Sequence, residues 1–295
     1  MNAHGKGTKD LFTQPDKAPM LAYVQLLRPK NCVMAVLSVV IVALVASELE
    51  PDIITSANVL AASLVVFLFT GAGNTLNDYL DREIDSLNHP GRPIPSGNVS
   101  PRSAAVFSGL LFAAAVILGL WLSVFCMLLI LLNLAIMLAY EFRTKALGLS
   151  GNLMISWLTA SLFLFGGLAV MDGFPRIMEP VFFMFLLSFL ATLGREIAKD
   201  IQDMGGDLGR KTLPMRIGPA RAGKLASFAF IAAVGLSPMP YLFGMFGFYY
   251  VITVLFADAI FIYGANQISR NPGNTSENAK LAMFAALAAF LLGVI

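Results

Sequence analysis

"SLVVFLFTGAGNTLNDYLDREID", residues 63–85, runs from a stretch apolar enough to cross a membrane into four carboxylates: Asp78, Asp81, Glu83 and Asp85. The whole chain is 57% hydrophobic and 13% charged, with a mean hydropathy of +0.75. That balance excludes a soluble globular domain. Long apolar runs alternate with short polar stretches, and about 20 apolar residues span the hydrocarbon core of a bilayer. Backbone groups in lipid must be satisfied internally, and runs of this length are too long for barrel strands. The pattern predicts an all-α polytopic bundle of about nine spans, at 31–47, 58–77, 103–121, 123–140, 152–170, 180–199, 221–237, 243–265 and 279–295. Almost nothing separates the third and fourth, which predicts a tight helical hairpin.

Basic residues accumulate on the cytoplasmic side of membrane proteins. With nine spans, nineteen of the 20 Lys and Arg fall on the N-terminal side of the membrane, and Arg176 alone falls on the other. The expectation is a multi-pass cell-membrane protein with a cytoplasmic N-terminus and an external C-terminus. Residues 1–20 are polar, include Asp10 and Asp16, and lack the apolar region of a signal peptide. They read as a flexible cytoplasmic lead-in to a single domain over 21–295. "LLRPKNC" (26–32) marks the start of the first span. Cys32 and Cys126 lie in or beside apolar runs and read as small core residues. His4 and His89, isolated in loops, do not make a histidine-ligated metal site. Nothing in the chain points to a nucleic-acid partner.

The acids of the opening stretch begin where the second span reaches the cytoplasmic side. At 100° per residue, Asn74, Asn77, Asp78, Asp81 and Asp85 fall within an arc of roughly 100°, and Glu83 points elsewhere. A second row, "REIAKDIQDMGGD" (195–207), leaves the sixth span on the same side. There Glu196, Asp200, Asp203 and Asp207 fall within about 60°. Solvated loops would scatter charges of mixed sign. Carboxylates at i, i+3, i+4 and i+7, twice on one surface, repel one another unless cations neutralise them. Hard divalent cations prefer oxygen, and Mg²⁺ is held by one or two carboxylates plus substrate phosphates. Arg82, Arg92, Lys145, Arg195, Lys199, Arg210 and Lys211 surround the rows, where cations stabilise charge on a departing diphosphate. The residues point to a metal–diphosphate site. Asp258, inside the eighth span, is either a functional intramembrane acid or a partner to a neighbouring helix.

These motifs resemble the UbiA-type intramembrane prenyltransferases. "NDYLDREID" (77–85) fits that family's NDxxDxxxD signature, "KDIQDMGGD" (199–207) its second aspartate motif, and "YEFRTK" (140–145) its tyrosine–lysine motif after the fourth span. The likeness covers nearly the whole chain. It implies Mg²⁺-dependent transfer of a prenyl group from a prenyl diphosphate to a lipophilic acceptor. Carried onto this sequence, Asn77, Asp81 and Asp85 would hold one Mg²⁺ with Asp78 in support, and Asp200, Asp203 and Asp207 the other. Lys145 and nearby Arg143 would contact diphosphate, and Tyr140 would sit near the reacting carbon. "HPGRPIPSGNVSPRSA" (89–104), "GLSGN" (148–152) and "GDLGRKTLPMRIG" (206–218) most resemble the archaeal digeranylgeranylglyceryl phosphate synthases, which form the second ether bond of archaeal lipids. Chlorophyll and bacteriochlorophyll synthases share "DREID" and "RPIPSG", and an aromatic quinone precursor is a further acceptor class. A phosphorylated acceptor would need its own cation, for which Arg92 and either Arg210 or Lys211 stand nearest. An ion-coupled transporter is the non-enzyme alternative, but its acids would lie near the bilayer midplane rather than at the span ends. The loops 78–102 and 200–220, with opposite charges on one side of the membrane, are expected to meet above the bundle as a polar cap over the metal site.

Overall fold

The computed structural model describes residues 19–144, 147–172, 175–204 and 212–295, and no strand occurs among them. The helices in chain order are α1 (Pro19–Leu27), α2 (Pro29–Ala46), α3 (Ala57–Leu80), α4 (Arg82–Asn88), α5 (Pro101–Leu122), α6 (Val124–Ala139), α7 (Leu149–Val170), α8 (Met178–Asp203), α9 (Leu213–Ile217), α10 (Pro219–Leu236), α11 (Met239–Leu242), α12 (Phe248–Gln267) and α13 (Pro272–Leu292). A π-helical turn, Tyr140–Thr144, extends α6.

The helix starts are written in the local sequence. Ser56, Ser100, Ser123 and Asn271 each accept a hydrogen bond from the backbone N–H three residues on, and Pro29, Pro101, Pro219 and Pro272 occupy first-turn positions. Such side chains satisfy one orphan donor, and proline has no amide hydrogen to lose there. The hairpin between the third and fourth spans is as tight as expected, since Ser123 alone separates α5 from α6. A side chain at Gly119 would meet Ile130 Cδ1 at 2.1 Å, so glycine permits the two helices to approach.

Among the described residues, eight helical segments are long and apolar enough to cross a membrane, and they make this a multi-pass membrane protein. The ninth predicted span forms as α13, but it begins at Pro272 rather than 279. Its first turns carry Asn274, Glu277 and Lys280, which leaves it outside that apolar set. Among the described residues, nine long helices form a ring in which chain neighbours pack together, α2 on α3, α5 on α6, α7 on α8 and α12 on α13, and α13 closes against α2. Leu110, Ile117, Trp121, Phe228 and Phe256 face outward. The ring's core includes Val42, Phe163, Val181, Met184, Tyr250 and Phe290. Cys32 and Cys126 are buried free thiols, as the composition of their spans suggested.

Candidate functional site

The ring encloses a cavity of about 1150 Å³, to which every long helix except α5 contributes. Small-molecule pockets run to ~1,000 Å³, so this one suits a large ligand. One end is polar, with Asn77, Asp81, Asp85, Glu141, Glu196 and Lys199. The other is formed by Phe163, Leu187, Ala233, Val254 and Phe290.

The first acidic row does not lie on one uninterrupted helix. α3 ends at Leu80, and Asp81 (φ −84°, ψ 3°) bends the chain into α4. Backbone bonds from Asp81 N–H to the Asn77 carbonyl (2.9 Å) and from Asp85 N–H to the Asp81 carbonyl (2.8 Å) carry the helical phase through the bend. Asn77, Asp81 and Asp85 therefore all reach the cavity. Asp78 turns the other way. It is buried, it pairs with Arg28, and Arg92 Nη1 lies 3.4 Å away. Arg92 also donates to Asp85 Oδ2 at 2.5 Å, and Arg28 to Asn77 Oδ1 at 3.2 Å. The result is a lattice in which buried Asp78 positions two guanidiniums at the cavity mouth.

Arg28 was not legible as a site residue. It stands between α1 and α2 at φ 51°, ψ 70°, a left-handed conformation that side-chain-bearing residues seldom adopt. Strain of this kind is held only where surrounding contacts determine it, and here the Asp78 and Asn77 contacts do so. Glu141 was also missed. Asn77 Nδ2 donates to Glu141 Oε1 at 3.1 Å and lies 3.4 Å from Asp81 Oδ2, which brings two carboxylates to one amide. The available signal was an acid at the end of an apolar span, on the surface that carries both rows.

The second row is placed differently. Glu196 and Lys199 line the cavity, and Arg195 lines it while paired with Glu196. Asp200 accepts from Asn152 Nδ2 at 3.0 Å, linking the row to the "GLSGN" segment at the start of α7. Asp203 is exposed at the end of α8, and neither it nor Asp200 is among the described residues lining the cavity. Asp207, Arg210, Lys211 and Lys145 lie outside the described residues. Residues 205–211 of the segment expected to cap the site from 200–220 lie outside them too, and in its described part Leu213–Ile217 approaches the turn at Gly148. Tyr140 lines the cavity. Arg143 is exposed on the π-helical turn, away from the lining. Arg82 also lies away from it: its guanidinium covers the Tyr79 ring at 4.9 Å and donates to the Tyr79 carbonyl at 2.9 Å.

Deep in the cavity, Asp258 accepts from Ser237 Oγ at 2.6 Å, and Tyr250 OH donates to the Ser237 carbonyl at 2.7 Å. The intramembrane acid is thus both a partner across helices and part of the cavity wall.

Among the described residues no three His, Cys, Asp or Glu side chains form a self-sufficient metal cage. Asp81 and Glu141 bring carboxylate oxygens together around the Asn77 amide, a set that is incomplete by itself. That fits Mg²⁺, which keeps waters and completes its shell with substrate phosphate.

A model of the UbiA prenyltransferase family matches residues 35–288. A protein of Methanosarcina mazei named digeranylgeranylglyceryl phosphate synthase is 42% identical over 290 residues, covering 94% of this chain and 99% of its own. One of the same name from Methanopyrus kandleri is 39% identical over 281 residues, with coverages of 94% and 100%. A solved structure described as digeranylgeranylglyceryl phosphate synthase superposes with a TM-score of 0.82 at 35% identity, over 94% of this chain and 99% of that one. A UbiA homologue from Archaeoglobus fulgidus, bound to GPP and Mg²⁺, shares the fold at a TM-score of 0.59 and 20% identity, with coverages of 90% and 99%.

Proposed function

This chain belongs to the UbiA prenyltransferase family, and from that premise we propose that it transfers a geranylgeranyl group from geranylgeranyl diphosphate to geranylgeranylglyceryl phosphate. An ether C–O bond forms at the acceptor hydroxyl, the bond from the prenyl C1 to diphosphate breaks, and the hydroxyl proton is released. The observation that carries this reading is one continuous cavity with a carboxylate-rich mouth and an apolar depth, in a chain 42% identical to a named synthase over nearly its full length.

In this reading Asn77, Asp81 and Glu141 hold one Mg²⁺, with Asp85 beside them, and Asp200, Asp203 and Asp207 hold a second. The metal, when bound, neutralises the diphosphate and stabilises charge on it as it leaves. Arg28 and Arg92, braced by Asp78, present guanidiniums to the diphosphate, since arginine grips phosphate oxygens in a two-pronged hydrogen bond. Tyr140 is assigned to the reacting carbon, and by likeness to the family's tyrosine–lysine motif Lys145, with Arg143 nearby in sequence, is assigned to the diphosphate. Phe163, Leu187 and Phe290 enclose the prenyl chain and exclude water from the allylic centre. The concentration of basic residues at the acidic end favours the cytoplasmic side for that end.

The test is an assay of the purified full chain with geranylgeranyl diphosphate and Mg²⁺ against geranylgeranylglyceryl phosphate, 4-hydroxybenzoate and a chlorophyllide, followed by mass spectrometry. The expected product is digeranylgeranylglyceryl phosphate. Prenylation of an aromatic acceptor with no turnover of the glycerol phosphate would reject the assignment.

A further inference from the structure

Two charged walls face one another across the cavity mouth, and they differ in sign. On the wall built by α3, α4 and the turn after α6, the carboxylates Asp81, Asp85 and Glu141 line the cavity with the two guanidiniums of Arg28 and Arg92. Arg28 is engaged by Asp78 behind the wall, and Arg92 by Asp85. Counted as ionised, these described lining charges are net negative, a balance that repels an anion until a divalent cation arrives. Among the described charges that line the cavity, α8 and α13 contribute Arg195, Lys199 and Lys280 against Glu196 alone; Arg195 pairs with Glu196, and Lys280 Nζ lies 2.6 Å from Glu277 Oε1 behind the lining. Arg195 Nε is buried and has no hydrogen-bond partner among the described residues. A buried donor left unmatched is costly, which makes an incoming oxygen ligand favourable there.

Lys280 continues as a stripe. Met283, Phe284 and Leu287 follow it at i+3, i+4 and i+7 on α13, and all four line the cavity. Residues at those spacings share one helix face. A lysine whose stem lies along apolar surface keeps its ammonium at the polar boundary. One face of α13 thus offers a cation at the mouth and an apolar track leading inward, the pattern that suits a lipid with an anionic head.

We infer that Lys280, with Arg195 and Lys199, forms the phosphate subsite for the acceptor, and that the Met283–Phe284–Leu287 face seats the acceptor's own hydrocarbon chain. The inference rests on the proposed transfer to a phosphorylated prenylglycerol and adds where that acceptor binds. It moves the acceptor's phosphate away from Arg92, because Arg92 stands with Asp78 and Asp85 on the wall proposed to receive the diphosphate. A phosphate monoester carries a charge near −2 at neutral pH, so the positive wall takes it without metal. The diphosphate is left to the carboxylates that would hold Mg²⁺. Opposed subsites separate two anionic heads that would otherwise repel one another, while each chain still descends into the same apolar depth.

The experiment measures binding of geranylgeranylglyceryl phosphate, and of its neutral dephosphorylated analogue geranylgeranylglycerol, to the full chain in nanodiscs with EDTA present. Steady-state KM values for both substrates are taken in Mg²⁺. Wild type is expected to bind the phosphorylated lipid without metal, and more tightly than the neutral one. Lys280→Met should weaken that binding and raise the acceptor KM by about 10- to 100-fold, the scale of one charge-assisted hydrogen bond. The KM for the prenyl diphosphate should change by less than about twofold, on the premise that distant sites act independently. Lys280→Arg should restore most of the loss. Equal affinity of wild type for the two lipids in EDTA would overturn the inference without reference to any variant. So would a folded Lys280→Met protein with an unchanged acceptor KM. In either case continued turnover of the phosphorylated acceptor would leave the transfer reading standing. Absence of any such turnover by wild type would instead sink the transfer reading itself.

Discussion

Asn77 Nδ2 donates to Glu141 Oε1 across 3.1 Å, joining the last turns of α3 to the π-helical turn that follows α6. The two residues are 64 positions apart in the chain. Asp81 lies 3.4 Å from the same amide nitrogen, so one side chain holds two carboxylates at the cavity wall. A helix that keeps its α-hydrogen-bond pattern would turn the side chain at 141 by 100° per residue. The wider π turn alters that phase where α6 ends, and π turns are frequent at functional sites.

Removing either carboxylate from that amide is expected to damage turnover rather than folding. Asp81→Ala and Glu141→Gln should each lower kcat by about 10²–10³-fold, the usual cost of losing one positioned electrostatic group. Asp203→Ala should also lower turnover by orders of magnitude, through the second acidic row. Steady-state assays at saturating Mg²⁺, with gel filtration as a folding control, check all three. Near-wild-type rates for both Asp81→Ala and Asp203→Ala would be incompatible with two metal-holding rows.

Arg92 and Lys280 should separate kinetically. Arg92→Ala is expected to raise the KM for geranylgeranyl diphosphate more than that for the acceptor, because its partners Asp78 and Asp85 belong to the first acidic wall. The comparison is one pair of substrate titrations. A selective effect on the acceptor would place the acceptor's phosphate at Arg92 instead.

Asp78 is predicted to matter for stability as well as for binding. Its carboxylate is buried between Arg28 and Arg92, whose guanidinium-bearing side chains are about one-third exposed. Asp78→Ala removes their shared acceptor, and water reaching the arginines softens the loss. A cost of about 2 kcal/mol is expected, within the range for hydrogen bonds to charged groups. Thermal unfolding in detergent should show the drop, and an unchanged midpoint would contradict the bracing role.

The cluster at the deep end gives a prediction independent of the metal site. Ser237→Ala strips Asp258 of a 2.6 Å donor inside the bundle. Leaving that acceptor unmatched should cost about 1–3 kcal/mol. Asp258→Asn can still accept from Ser237 and should cost less. Unfolding midpoints of the two variants, measured side by side, decide the order.

At Gly194 the expectation concerns packing alone. An added Cβ would lie 2.6–2.9 Å from atoms of the Phe230 ring, which is fully buried and stacked on Phe261. The ring has little room to yield, so Gly194→Ala should destabilise by about 1–3 kcal/mol despite alanine's better helix propensity. A stabilised variant would show that the ring can move.

Hydropathy is a local property, and for this chain it sufficed to find the membrane helices. Apolar runs of the right length located them to within a few residues, apart from the starts of α12 and α13. Spacing alone put Asn77, Asp81 and Asp85 on one side of the chain, because helical phase follows from residue number. Whether a side chain then faces the cavity depends on what packs behind it, and that is a long-range matter. Asp78 falls in the same arc as its neighbours yet turns to Arg28, a residue 50 positions away held at a left-handed backbone angle. Arg82 stands one residue beyond Asp81, but it is drawn over Tyr79 and away from the cavity. Neither Glu141 nor Lys280 stood out as a site residue by spacing, and it is the closed ring of helices that brings α6 and α13 around the same space. The sequence by itself determined which segments are helical and which residue types border the membrane. Only the tertiary structure decided which charges meet, since that depends on where the ring closes.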